Sequence, residues 1–561
     1  MHNLDWLFAI GVLAFVISVT ALGANDVANS YATSVSSRSL KLWQAGILAI
    51  ITEFIGSIAL GQRVTTTIRS GVFSIKPFNN SPGVLLLAMV IAEIGSGAWL
   101  VVCTRMGFPV STTQSIVGAL VGVGIAADIP VKWGWTSGSV SQIAASWGIA
   151  PLIAAGFGAV IMLSIRVLVH SRPDPLKAAL RVIPFYYALT AGVLALFVVI
   201  SGGHGIPTLE KMGAGKAVGI ILGVFFGCMA LAAVFFLPYF YRKLVKEDRR
   251  LRFWHVPMGP LLWRDNYTLY FPGNPESELV PNYYASELNV EHDSELYELS
   301  KHADTVEPET KEPIEETEPT ERDAVEHQDR QRQSDLEAVD RLSWAHPTRL
   351  FAAAKFVFAY GVTRDVVAHQ SKGLDGVHKR APVFDNKVEY LWTTAQICSA
   401  MIMSIAHGAN DVSNAIGPFT TEYITWHTGV TDATSDTPTW IKAIGGLGIG
   451  IGFWIYGYHI MRSLGNRVTK HTPTRGYSME LAAAITVLLA SRLGLPVSTT
   501  QCISGAIIGV AVTNGDLRSI NWKQVFKIFV GWVLTVPCAG LVAGILMAIS
   551  LNVPHWTVVQ P

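Results

Sequence analysis

GFPVSTTQSIVGALVGVG at residues 107–124 and GLPVSTTQCISGAIIGVA at residues 494–511 agree at twelve of eighteen positions. Upstream of each stands a second shared block, GANDVAN at 23–29 and GANDVSN at 408–414. The two blocks begin 84 residues apart in the first half of the chain and 86 in the second. A glutamate keeps the same register. Glu93 and Glu480 each lie 16 residues before the proline of the second block, and Arg105 and Arg492 each lie four before it. Two long blocks in one order and one spacing do not arise from composition alone, so the chain is read as a duplication of one half.

Around these blocks the sequence is strongly apolar. Half of the 561 residues are hydrophobic, mean hydropathy is +0.38 and 15% are charged, against about 25% charged in ordinary soluble domains. A membrane-crossing helix needs about 20 mostly apolar residues. Runs of that kind occupy 5–22, 43–61, 83–103, 142–165, 184–202, 215–240, 389–407, 440–463, 479–493 and 524–551. The hydrocarbon offers no water to stray backbone groups, so these runs are helical. The expectation is an all-α polytopic membrane protein with about 12 transmembrane segments in a lipid bilayer. The N-terminal run lacks the basic flank of a signal peptide and is expected to be a retained helix. Cys103, Cys228, Cys398, Cys502 and Cys538 all fall in apolar segments and read as small core residues.

Charge sets the expected organisation. No Lys or Arg precedes Arg38 or follows Lys527, whereas Arg242, Lys243, Lys246, Arg249, Arg250 and Arg252 cluster after the 215–240 run. Basic clusters stay on the cytoplasmic side. Both termini are therefore expected outside and the central block inside, with residues 1–240 the first membrane repeat, 241–387 a cytoplasmic loop and 388–561 the second repeat. Residues 304–323 (DTVEPETKEPIEETEPTERD) hold too few apolar side chains to fold alone and read as disordered. Residues 348–362 suit an amphipathic helix on the membrane surface. A net charge of +1 points to no nucleic-acid partner.

The chemistry lies in the blocks. In PVSTTQ the proline breaks one helix, Ser and Thr favour the cap of another, and the apolar run after it is too short to cross comfortably. The expected element is a re-entrant hairpin whose helix N-terminus, with free N–H groups and a positive dipole end, faces the interior as an anion site. Ser111, Thr112, Thr113 and Gln114 add donors from one half, and Ser498, Thr499, Thr500 and Gln501 from the other. The plainer reading of either copy is a helix cap. Asp26 and Asp411, beside Asn25 and Asn410, sit at helix ends where Gly23 and Gly408 permit unwinding. An aspartate within a membrane costs about 2.5–3.5 kcal/mol, which makes it a functional residue by default. Its oxygens, with Asn and freed carbonyls, suit a hard cation. A cation between carboxylate and oxyanion also removes their repulsion. Glu53 has no acidic counterpart in the second half and is a candidate for a coupling step. Glu93 and Glu480 are read either as coupling groups or as structural partners of Arg105 and Arg492. His407 reads as a helix-end histidine.

The duplicated GANDVAN and PVSTTQ blocks flanking a large central loop resemble the inorganic phosphate transporter (PiT) family, and the length and loop are similar to its fungal-type high-affinity sodium/phosphate symporters. The resemblance covers both membrane flanks. It implies two inverted-topology repeats and import of inorganic phosphate with sodium as the co-transported ion. It implies no other cofactor, and no enzymatic activity. It implies phosphate on Ser111–Gln114 and Ser498–Gln501, and sodium at Asn25, Asp26, Asn410 and Asp411. Glu53 matches an acidic position the family needs for transport. The plasma membrane is the expected residence and a homodimer an assembly it allows. Proton coupling, a passive channel or a phosphate sensor signalling through the central loop are the alternatives.

Overall fold

The structure, a computed structural model, describes residues 4–136, 138–201, 209–264, 278–284, 358, 361–362, 366, 374–432 and 435–552. The acidic stretch 304–323, and all but Phe358, Gly361 and Val362 of the expected surface helix, lie outside the described residues. Among the described residues the fold is helical throughout, with no β-strand.

The first half runs through α1 (Asp5–Asp26), α2 (Ala28–Ser36), α3 (Leu42–Leu60), α4 (Gln62–Ser70), α5 (Pro82–Arg105), α6 (Thr112–Ala126), α7 (Val140–Ile165), α8 (Pro175–Ser201) and α9 (Ala214–Leu231). The second runs through α10 (Asn386–Asn410), α11 (Ser413–Thr428), α12 (Thr439–Tyr456), α13 (Tyr458–Leu464), α14 (Pro473–Arg492), α15 (Thr499–Val512) and α16 (Trp522–Asn552). Among the described residues seven helical stretches are long and apolar enough to cross a membrane, or eight if α12 and α13, bent by 75°, form one span. That is fewer than the sequence suggested. Helices form at α10 and α14, but both carry many polar residues. They can, because other helices surround them: nearly all of α14 is buried, including Thr474, Arg475, Ser478 and Glu480. A helix that meets no lipid need not be apolar.

Both short helices are too short to cross, as expected. α6 has 15 residues and α15 has 14, about 21–22 Å at 1.5 Å per residue, against about 30 Å of hydrocarbon. The chain turns into each through a glycine rather than the proline. Gly107 and Gly494 both have φ of +69°. In each turn the next two N–H groups fold back on the helix, Gly107 to Thr104 O (3.0 Å) and Phe108 to Cys103 O (2.9 Å), Gly494 to Ser491 O (3.1 Å) and Leu495 to Ala490 O (3.0 Å). This is a Schellman stop. The prolines only keep the chain extended after it.

Each short helix then packs on a long helix of the opposite half, α6 on α16 and α15 on α7. Small residues make the approach possible. A Cβ on Gly118 or Gly122 would lie 2.5 Å from Val536 O or 2.0 Å from Gly540 O, and one on Gly505 or Gly509 would lie 2.2 Å from Pro151 O or 2.1 Å from Ala155 O. Gly23 and Gly408 have the same task. Both stay helical, Gly23 pressed on Ile449 O and Gly408 on Glu53 O, so they pack helices rather than unwind them. The breaks come two or three residues later, after Asp26 and Asn410.

Candidate functional site

The GAND breaks and the hairpin tips meet at the centre of the bundle. Asn25 clamps its own hairpin: its Nδ2 donates to Thr104 Oγ1 (3.0 Å) and Phe108 O (3.1 Å), and its Oδ1 accepts from Val110 N (3.1 Å). Asn410 does the same in the second half, donating to Ser491 Oγ (3.0 Å) and Leu495 O (3.2 Å). These amides hold the turns in place. The serines are caps, as the plainer reading held, with Ser111 Oγ accepting from Gln114 N (3.1 Å) and Ser498 Oγ from Gln501 N (3.2 Å).

The threonines do something else: they reach across. Thr113 Oγ1 contacts Asp411 Oδ1 (3.0 Å) and Val497 O (3.0 Å), and Thr500 Oγ1 contacts Asp26 Oδ1 (2.9 Å) and Val110 O (3.1 Å). Thr112 binds Asp26 Oδ2 from its own half, through Oγ1 (2.5 Å) and N (3.4 Å). Thus the aspartates sit against the hairpin N-termini, and each is tied to the other half. The last residue of each GAND block, not singled out in the sequence, completes the link. Asn29 Nδ2 donates to Thr500 Oγ1 (2.8 Å), and Asn414 Nδ2 to Thr112 Oγ1 (3.0 Å) and Thr113 Oγ1 (3.1 Å). All these side chains are buried. Asn29 Oδ1, Asn414 Oδ1, Asp411 Oδ2, Thr499 Oγ1, Gln114 Oε1 and Gln501 Oε1 have no hydrogen-bond partner. The centre is therefore rich in unengaged oxygen, the ligand a hard cation takes.

His407 departs from the repeat, since position 22 of the first half is leucine. Its Nδ1 lies 2.8 Å from Glu53 Oε2 and its Nε2 3.5 Å from Asp411 Oδ2. Glu53 is further held by Ser404 Oγ (2.6 Å). Atoms of Asp26, His407 and Asp411 that could hold a metal ion lie within 4.8 Å of one another. So the histidine expected as a helix end joins Glu53 to the central aspartates. Little in the sequence signals it, because a single histidine without a counterpart carries no register.

The expected pairing of Glu93 with Arg105, and of Glu480 with Arg492, is not found. Each pair lies on one helix, α5 or α14, and twelve residues along a helix is about 18 Å. Glu480 instead accepts from Thr33, Ser34, Gln396 and Ser399. Arg105 lines a cavity of about 730 Å³ with Val16, Thr20 and Tyr456.

Comparison with known proteins agrees with this architecture. Residues 22–543 match the model of the phosphate transporter family. The phosphate-repressible phosphate permease pho-4 of Neurospora crassa is 38% identical over 588 residues, covering 99% of both chains. Sodium-dependent phosphate transporter 1 of Rattus norvegicus is 27% identical, covering 98% of this chain and 96% of its own. Among solved structures, one titled the sodium-dependent phosphate transporter superimposes with a TM-score of 0.65 at 24% identity, over 98% of this chain and 100% of that one. By its duplicated blocks, its buried polar centre and this match along nearly its whole length, the chain is an integral membrane transporter, not an enzyme, and it belongs to the phosphate transporter family.

Proposed function

We propose that the chain imports inorganic phosphate by symport with sodium ions, alternating access about a site between its two halves. The observation that carries this reading is the reciprocal tie of Asp26 to Thr500 and of Asp411 to Thr113 (2.9 and 3.0 Å). Each half brings a carboxylate to the other half's helix N-terminus. Phosphate would take the N-termini of α6 and α15, with Ser111–Gln114 and Ser498–Gln501 around it. Sodium would lie on Asp26 and Asp411, reached by Asn29 and Asn414. Asn25 and Asn410 would serve by fixing the hairpins. With sodium between them, carboxylate and phosphate no longer repel. Two sodium ions entering at about −100 mV gain roughly 4.6 kcal/mol, at about 2.3 per charge.

The matched contacts support two repeats, residues 1–240 and 388–561, which we take to be of opposite orientation, with 241–387 a cytoplasmic connection. The basic cluster from Arg242 to Arg252 supports a cytoplasmic connection and both termini outside; the plasma membrane is the residence we propose. The test is phosphate uptake into vesicles holding the purified protein, with and without an inward sodium gradient. Uptake should follow sodium; equal uptake with potassium, or with a proton gradient alone, would refute the sodium reading. The bridge from Glu53 through His407 to Asp411 favours a second reading, in which a proton replaces sodium. In that case uptake would follow the proton gradient and be lost in His407→Gln.

A further inference from the structure

Glu480 and Glu93 stand in register, yet their surroundings are opposite. Glu480 is fully supplied with donors: Thr33 Oγ1 and Ser34 Oγ at 2.6 Å, Gln396 Nε2 at 3.1 Å and Ser399 Oγ at 2.6 Å. Applying the 385-residue offset of the GAND blocks (408 − 23 = 385), these four become Pro418, Phe419, Gly11 and Ala14. None has a side-chain hydrogen to give. Ser37, which supports the first network by donating to Gln396 (2.7 Å), becomes Glu422. The second site has therefore lost every one of these side-chain donors and gained a carboxylate.

Helices α5 and α11 pack together, bringing Glu93 and Glu422 into electrostatic contact. Glu422 lies against the bare backbone of α1, where a Cβ on Gly11 would be 2.3 Å from its Oε2 and 3.1 Å from Val90 Cγ2. Both glutamates are 0% exposed. No side chain donates to any of the four carboxylate oxygens, each of which exposes less than 1 Å²; only the Phe419 backbone lies against Glu93. Thr425 Oγ1, one turn along α11, is also without a partner. Leu7, Leu86 and Val90 form the apolar surroundings.

Among the described residues no side-chain cation hydrogen-bonds either glutamate; Arg63 of α4 donates to Arg492 O, and Arg462 of α13 is engaged elsewhere. Arg69 of α4 is held by Thr421 Oγ1, Asp432 O and Ser435 O. Lys442 of α12 faces Asp436, and Lys527 of α16 lies over the Phe108 ring. α6 has no charged residue, and Asp5 of α1 accepts from Trp426. Two bare carboxylates do not both ionise in one dry site. A sodium ion would find few oxygens beyond the carboxylates themselves. A proton needs only two.

We propose that Glu93 and Glu422 form a proton-holding pair, with at least one carboxyl proton kept between α5 of the first half and α11 of the second. Separation of these helices during transport would admit water, and one O–H bond would then release its proton to it. This site is distinct from the Asp26–Asp411 centre, and the proposal stands whether or not sodium is the coupled ion.

The test is infrared spectroscopy of the full-length protein at neutral pH in sodium buffer, in a maltoside detergent free of ester carbonyls. The difference between wild type and E93Q/E422Q should contain a carboxylic-acid C=O band that shifts in D2O. E422L should keep an acid band from Glu93 and supplies the comparison if the double variant does not fold. A wild-type difference spectrum without that band would overturn the proposal. So would a band that emerges only on withdrawing sodium, which would give the pair to sodium instead.

Discussion

Replacing Thr500 by valine removes one hydroxyl from the centre while keeping the side chain's shape. That hydroxyl contacts Asp26 Oδ1 (2.9 Å) and Val110 O (3.1 Å) and accepts from Asn29 Nδ2 (2.8 Å). A buried hydrogen bond to a charged group contributes about 1.5–3 kcal/mol and a neutral one about 1. One of each gives about 3 kcal/mol, or about a hundredfold in binding at 1.4 kcal/mol per tenfold. Ser498→Ala is the comparison, because Ser498 Oγ caps α15 and makes no tie to the other half, and losing a cap costs typically about 1 kcal/mol, roughly fivefold. Direct phosphate binding to the purified protein in sodium should therefore weaken by about a hundredfold in T500V and about fivefold in S498A. Thr500→Ser should recover most of the loss. If T500V binds phosphate as well as S498A does, the tie between the halves contributes nothing to the site and the reasoning fails.

Asp26→Asn and Asp411→Asn are each expected to abolish sodium-dependent uptake while surface labelling still finds the protein in the membrane; normal uptake in either would remove that residue from the coupling centre. Gly509→Val places a Cβ where Ala155 O lies 2.1 Å away. Overpacking of this kind costs about 1–3 kcal/mol, so folded yield by size-exclusion chromatography should fall, as it should for Gly122→Val. Deleting 290–340 keeps Tyr283 on Thr393 and Tyr284 on Glu389, and phosphate uptake should persist. Arg380→Ala breaks an ion pair with Asp516 in which both side chains are about two-fifths exposed. Pairs of that kind contribute about 0–1 kcal/mol, so uptake should not change.

Much of the centre was legible because it is duplicated. The GAND and STTQ blocks named the helix breaks, the hairpins and the aspartates, and a half-length apolar run implied a short helix. What could not be read was anything that differs between the halves. His407 stands opposite Leu22, and Glu422 opposite Ser37, so a search for matched positions passes over both. Apolarity alone picks out seven or eight spans rather than about 12 for a related reason. Hydropathy reports contact with lipid, and α10 and α14 touch mostly protein. The Glu93–Arg105 pairing was attractive as a charge balance, but both residues lie on one helix. Division of labour within STTQ also needed coordinates. Nothing in the letters says that serine caps its own helix while a threonine beside it crosses to the other half.

The swapped packing of the hairpin helices has a consequence for biosynthesis. Asn29 and Thr500 meet across 471 residues of chain, and α6, which packs on α5 as well, lacks its larger seat until α16 exists. At about 5–20 residues per second, synthesis of that interval takes about 25–95 seconds. For that time the first half is threaded into the bilayer with Asp26 lacking Thr500 and with the glycine face of α6 uncovered. A ribosome that stops before residue 500 therefore leaves no half-active carrier, but a membrane-inserted fragment with its polar centre open, the kind of species that quality control in the membrane removes.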